Sequence, residues 1–158
     1  MGTFSAGLAN YAKKTGLSID KAVIAICAKA STSIIKKTPF DTGRARGNWY
    51  ATIGMVSNET SETRTENDAK SDALATSKES SGKVFYLTNN LDYIHKLEYG
   101  LYPKTVKYGT RLKKMSKKTK KSGVRYEVRT INGYSIQAPQ GMVRTTIAEI
   151  ENKLGAFK

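Results

Sequence analysis

The sequence predicts an α+β fold in which two main amphipathic helices pack on a small antiparallel or mixed β-sheet, with long polar and basic excursions. Three observations predict it. Apolar residues recur at spacings of three and four near both ends of the chain, and short alternating runs lie between them. Asn132-Gly133 separates two of those runs, as the tight turn of a hairpin does.

The elements follow in order. Phe4, Leu8 and Tyr11 build a short first helix that Gly16 interrupts. Ile19, Val23, Ile26, Ala30 and Ile34 form the apolar stripe of a longer helix over 18–37, with Ser18 as N-cap, Asp20 in the first turn, and Lys36 and Lys37 complementing the negative end of the helix dipole. Cys27 lies beside that stripe and is expected to be a buried, inert thiol. Pro39 forces Thr38 out of the helical region and stops the helix. Trp49, Ala51, Ile53 and Met55 then alternate with smaller or more polar residues, the pattern of a half-buried strand. Residues 57–83 are almost entirely polar, with Leu74 the one large aliphatic side chain before Val84, and read as an exposed excursion with a short helix around 68–77. Residues 84–88, VFYLT, form a second strand, and 93–99 a short helix that Gly100 caps with Ile94 and Leu97 inward. Residues 124–131 and 134–136 are the hairpin strands. Ala138-Pro139-Gln140-Gly141 introduces a last helix through Met142, Val143, Ile147, Ile150 and Leu154.

A length of 158 residues suits one domain with one core, so 1–158 is read as a single unit. Within it, 57–83 is the polar excursion and 101–137 an inserted basic arm and hairpin. No apolar run reaches the ~18 residues of a membrane span, and the start, MGTFSAGLANYAKK, has neither a basic leader nor a long apolar stretch. Synthesis and retention in a cytoplasm are expected. The sixth residue is Ala rather than Ser or Thr, so the myristoylation pattern fails. One cysteine and one histidine, Cys27 and His95, cannot form an internal disulfide or a Cys/His zinc site. No metal site and no cofactor are expected.

The net charge of +14 is concentrated. Between Leu101 and Arg125 there are ten basic residues and no acidic one, whereas the rest of the chain carries 17 basic and 13 acidic. Lys113, Lys114, Lys117, Lys118, Lys120 and Lys121 are the candidate contacts with DNA or with an acidic partner. Tyr102, Tyr108 and Tyr126 could stack on bases, but no recognition-helix pattern points to sequence-specific readout.

Asp41-Thr42-Gly43 spells the tripeptide of aspartic proteases. Those enzymes need two carboxylates sharing a proton on turns beneath apolar strands. Here the triplet follows Lys36-Lys37-Thr38-Pro39 at a helix end and precedes Arg44 and Arg46, cations that favour an ionised carboxylate. A structural turn explains more: Asp41 accepts backbone hydrogen bonds, Gly43 supplies a positive φ, and Pro39 fixes the helix exit. No Gly-Lys-Ser/Thr follows, so a phosphate loop is not spelled, and His95 has no nucleophile motif beside it. The chain is expected not to be an enzyme.

Three blocks in order, KKTPFDTGRARGNW, VFYLTNNLDYIHKLEYG and QAPQGMVRTTIAEI, resemble the siphophage tail-component family, the neck or tail completion proteins of the lambda minor tail protein Z type. The matching positions are Pro39, Asp41, Thr42, Gly43, Asn90, Tyr93, Leu97, Glu98, Tyr99, Gly100, Pro139, Gly141 and Met142. The polar excursion and the basic arm depart from the family pattern. The resemblance implies a non-enzymatic virion protein of the head-tail neck, made in the host cytoplasm, that completes the tail end and joins it to the head as part of an oligomeric ring. Its implied partners are further copies of itself and other neck, connector and tail-tube proteins, with non-specific contact to genomic DNA as one use of the basic arm and no membrane. A tail terminator capping the tail tube, or a free basic DNA-binding protein, are the alternatives.

Overall fold

The computed structural model describes residues 4–102, 107–111 and 126–156. The chain is an α+β protein in which helices carry most of the core. Its elements are α1 (Phe4–Thr15), α2 (Ile19–Lys37), α3 (Arg44–Gly47), β1 (Tyr50–Ile53), α4 (Glu66–Ser77), β2 (Phe85–Thr88), α5 (Ile94–Tyr99), β3 (Lys107–Arg111), β4 (Tyr126–Ile131), β5 (Tyr134–Ser135) and α6 (Val143–Gly155). Two antiparallel sheets stand where one small sheet was expected: β1 with β2, and β3–β4–β5.

α2 is central, packed against α1, α4 and α6 and touching α3. Ser18 caps its start by accepting from the Lys21 N–H at 3.3 Å. Thr38, driven to an extended ψ of 129° ahead of Pro39, closes its end. Because helices cover α2 on several sides, its buried residues are not the single stripe that periodicity suggested. Ala22, Ser31, Ile34 and Ile35 are buried, while Ile19 is 56% exposed. Cys27 is half-buried rather than buried. On α6, Thr146 takes an inward position and Ile147 stays exposed. The Thr146 hydroxyl donates to the Met142 carbonyl at 2.8 Å and accepts from Lys37 Nζ at 3.2 Å, which satisfies it inside the α2–α6 contact. A Cβ on Gly7 would lie 3.1 Å from that of Leu154, so α1 and α6 approach closely there.

The stretch read as an exposed excursion carries α4, which is part of the core. Ala69 and Ala73 are fully buried against α2 and β1. Thr65 and Asp68 form a reciprocal capping box at its start. Small alanines on an otherwise polar helix produce almost no apolar periodicity, yet they permit a close helix–helix approach. Arg64 ties the preceding loop down: its guanidinium donates to the carbonyls of Gly47 and Trp49 at 2.8 and 2.6 Å, pairs with Asp72, and stacks over the Tyr50 ring at 4.2 Å.

β1 pairs with β2 from Tyr50 opposite Thr88 to Ile53 opposite Phe85. The hairpin β4–β5 turns at Asn132 (φ 51°) and Gly133 (φ 87°), the left-handed pair that a two-residue type I′ turn requires. No helix among the described residues is long and apolar enough to cross a membrane.

Candidate functional site

Residues separated by up to 46 positions converge where α5, the β4–β5 hairpin and the start of α6 meet. Glu98, on the last turn of α5, is buried at 7% exposure. Its Oε2 accepts the backbone N–H groups of Met142 and Val143 at 2.7 and 2.9 Å, and its Oε1 accepts the N–H and Nε of Arg144 at 3.0 and 3.3 Å. A carboxylate thus caps the positive end of α6 from another element, where the helix supplies no side chain of its own. Burial pushes the Glu98 pKa up, but three backbone N–H groups and Arg144 outweigh it and hold the carboxyl below its ordinary value. The Arg144 guanidinium also donates to the Glu98 carbonyl at 2.6 Å, reaches the Tyr134 hydroxyl at 3.4 Å, and lies 5.0 Å over the Tyr99 ring.

Glycines allow this closeness. Gly141 has φ 84°, and a Cβ there would sit 2.5 Å from the Glu98 carbonyl oxygen. Gly100, at φ 66°, ends α5 in the left-handed conformation with the Tyr134 ring packed where a Cβ would project. Across the contact, the Tyr102 N–H donates to the Gly133 carbonyl at 3.1 Å.

The Asp-Thr-Gly turn is tied to the same assembly. Gln137 brackets Phe40, its Oε1 accepting the Phe40 N–H at 2.8 Å and its Nε2 donating to the Phe40 carbonyl at 2.9 Å. Gly43 has φ 90° and leads into α3, Thr42 Oγ1 accepts the Arg44 N–H at 3.4 Å, and Asp41 is exposed. Behind the turn, Thr38 Oγ1 donates to the Ile34 carbonyl at 2.8 Å and accepts Trp49 Nε1 at 2.9 Å. Arg46 links the Thr38 carbonyl (2.6 Å) to Glu66 (2.8 Å), and the Asn48 amide holds the Arg44 carbonyl and Ser61. Lys70 first, then Arg46, keep the Glu66 carboxyl below its usual value.

Of the turn residues singled out from sequence, the structure brings Gly100 and Gly141 into direct contact with the assembly and connects Pro39, Asp41, Thr42 and Gly43 to it through Phe40 and Gln137. Pro139 lies exposed in the turn before α6, beside the buried Ala138. The candidate contacts Lys113, Lys114, Lys117, Lys118, Lys120 and Lys121 lie outside the described residues. Sequence reasoning singled out neither Gln137 nor Tyr134 nor Arg144. Glu98 entered only through the resemblance, because a cap supplied from 44 residues away leaves no local pattern. His95 is exposed, and among the described residues no group of three His, Cys, Asp or Glu could hold a metal ion.

No family model, curated protein or solved structure matches this chain.

Proposed function

We propose that this chain is a non-enzymatic structural protein of the phage neck, acting as one subunit of a ring that completes the tail end and joins it to the head. The observation that carries the reading is the convergence of the three resembling blocks. The Leu97-Glu98-Tyr99-Gly100 block supplies the carboxylate and the glycine exit, the Ala138–Met142 block receives that carboxylate, and the Asp-Thr-Gly turn is pinned through Phe40. Glu98, Gly100 and Gly141, shared with that family, are thereby accounted for by packing and capping. Exposed Asp41 lacks the buried, apolar setting that a shared-proton carboxylate pair needs.

The decisive experiment is the copy number of the protein in purified particles, by quantitative mass spectrometry against the major capsid and tail-tube proteins. A small fixed number, as for one closed ring, is expected. Absence from intact particles would overturn the reading.

The ten-to-none charge count over Leu101–Arg125 favours a second reading, a free DNA-binding protein. Replacing Lys113, Lys114, Lys117, Lys118, Lys120 and Lys121 with Gln separates the two. The neck reading expects impaired head-tail joining or DNA retention in the particle. The free-protein reading expects a flattened salt dependence of DNA affinity and no change in particles.

A further inference from the structure

The β1–β2 sheet has one covered edge and one bare edge. The Gly54 N–H donates to the Val84 carbonyl at 2.9 Å, and the antiparallel register runs on from that pair without a bulge. Main-chain groups alternate in such a ladder, so Tyr50 and Thr52 turn theirs toward β2 while Ala51 and Ile53 turn theirs away. On that outer side of β1 the Ala51 carbonyl accepts the Thr76 hydroxyl at 3.4 Å and the Trp49 carbonyl accepts Arg64 at 2.6 Å, with α4 packed alongside. On β2 the same alternation turns the N–H and C=O groups of Phe85 and Leu87 outward. None of these four groups has a hydrogen-bond partner among the described residues, and β1 is the one element packed extensively on β2. Ser57 and Glu59 reach the far end of the strand through the side chains of Thr88 and Asn90, not through its main chain.

Natural sheets blunt a bare edge with proline, lysine, a bulge or a covering element. Residues 84–88, VFYLT, carry no charge, no proline and no glycine, and Val84 is 60% exposed. We propose that the outer edge of β2 pairs with the same edge of a second copy of this chain, antiparallel about a two-fold axis at Tyr86, joining two ribbons into one four-stranded sheet. The register selects this occupant. With Tyr86 opposite Tyr86 of the copy, Phe85 stands opposite the copy's Leu87 and Leu87 opposite its Phe85. The four hydrogen bonds of those two pairs satisfy all the outward groups of both strands at once. The side chains agree with the backbone. Phe85 and Leu87 meet on the face that carries the core-packed Ala51, the two Tyr86 rings meet on the opposite face, and Thr88 meets Val84. Lys83, the first charge before the strand, falls opposite Asn89, so no like charges confront each other. The covered edge of β1 cannot accept a further copy, so the pairing closes on itself as an isologous dimer. It is separate from the contacts of a ring and does not rest on the neck reading.

The test is sedimentation equilibrium of the purified full chain over a range of concentrations. A reversible monomer–dimer equilibrium is expected, because so short an edge makes a small interface. Tyr86→Lys and Tyr86→Glu, each verified as folded by its melting curve, set like charges against each other across the axis. Each should weaken the dimer at least tenfold, and mixing the two variants should restore it. In a Cys27→Ser background, Tyr86→Cys should form an intermolecular disulfide, since the axis brings the two Cα atoms to about 4.5 Å. Val84→Cys should crosslink at least tenfold less, because its counterpart lies four residues, roughly 13 Å, further along the other strand. A chain that stays monomeric up to about 1 mM, a dimer unmoved by either charge at position 86, or equal crosslinking by the two cysteine variants would overturn the inference. A confirmed dimer of a chain absent from virions would overturn the neck reading alone.

Discussion

Replacing Glu98 with Gln keeps the shape of the side chain and removes its charge, so it isolates what the carboxylate does for α6. Glu98 accepts four hydrogen bonds, two on each oxygen. A glutamine oxygen can serve the Met142 and Val143 N–H groups, but its amide then meets the two Arg144 donors with donors of its own. Losing two charge-assisted bonds at about 1.5–3 kcal/mol each, partly offset by relaxation of the exposed Arg144 side chain, costs about 3 kcal/mol at neutral pH. Loss of a charge at the N-terminal end of the helix dipole adds up to about 1 kcal/mol. At ~2–4 °C per kcal/mol for a chain of this size, the melting temperature should fall by about 6–16 °C. Urea denaturation followed by circular dichroism should show a lower midpoint with an unchanged slope. The pH dependence supplies a second check. The folded-state pKa of Glu98 is depressed, so its stabilisation is present above the unfolded value of about 4.3 and is lost as pH falls through the lower folded value. The gap between wild type and Glu98→Gln should therefore be full at pH 7 and shrink progressively below about pH 4. A loss under ~1 kcal/mol at pH 7, or a gap equally wide at pH 3, would refute the capping argument.

Three further perturbations test other links. Gly141→Ala puts a Cβ 2.5 Å from the Glu98 carbonyl at a φ of 84°, and should destabilise by more than ~2 kcal/mol in thermal melts, whereas Gly16→Ala, with open space around it, should cost only the ~1 kcal/mol of its left-handed backbone. Thr38→Val leaves the Trp49 indole N–H buried without its acceptor, and should cost about 1–3 kcal/mol with a change in the fluorescence of this single tryptophan. Ala69→Leu overfills the contact of α4 with the core and should cost about 1–3 kcal/mol by urea denaturation, while Ser71→Ala on the exposed side of the same helix should stay within ~0.5 kcal/mol.

Local chemistry made much of this architecture legible in the sequence. Ser18 before an amphipathic run, Pro39 after it, Gly16 and Gly100 as stops, and Asn132-Gly133 between alternating segments each act within a few residues on backbone dihedrals or on a helix end, so local residue order located α1, α2, α5, the hairpin and α6. What the sequence left open depends on which surfaces meet. The α4 segment looked like a solvated excursion because alanine carries little apolar signal, and only contact with α2 and β1 turns Ala69 and Ala73 into core. Ile19 and Ile147 fit their helical stripes and yet remain in water, because helix packing rather than periodicity chose the buried face. Glu98 and Arg144 are ordinary surface residue types in the sequence. The fold makes them a capped helix start by placing α5 against α6. Caps, turns and breakers were thus determined by the sequence at short range, whereas burial and the long-range carboxylate cap were decided by tertiary packing, because each is a relation between elements that no local stretch contains.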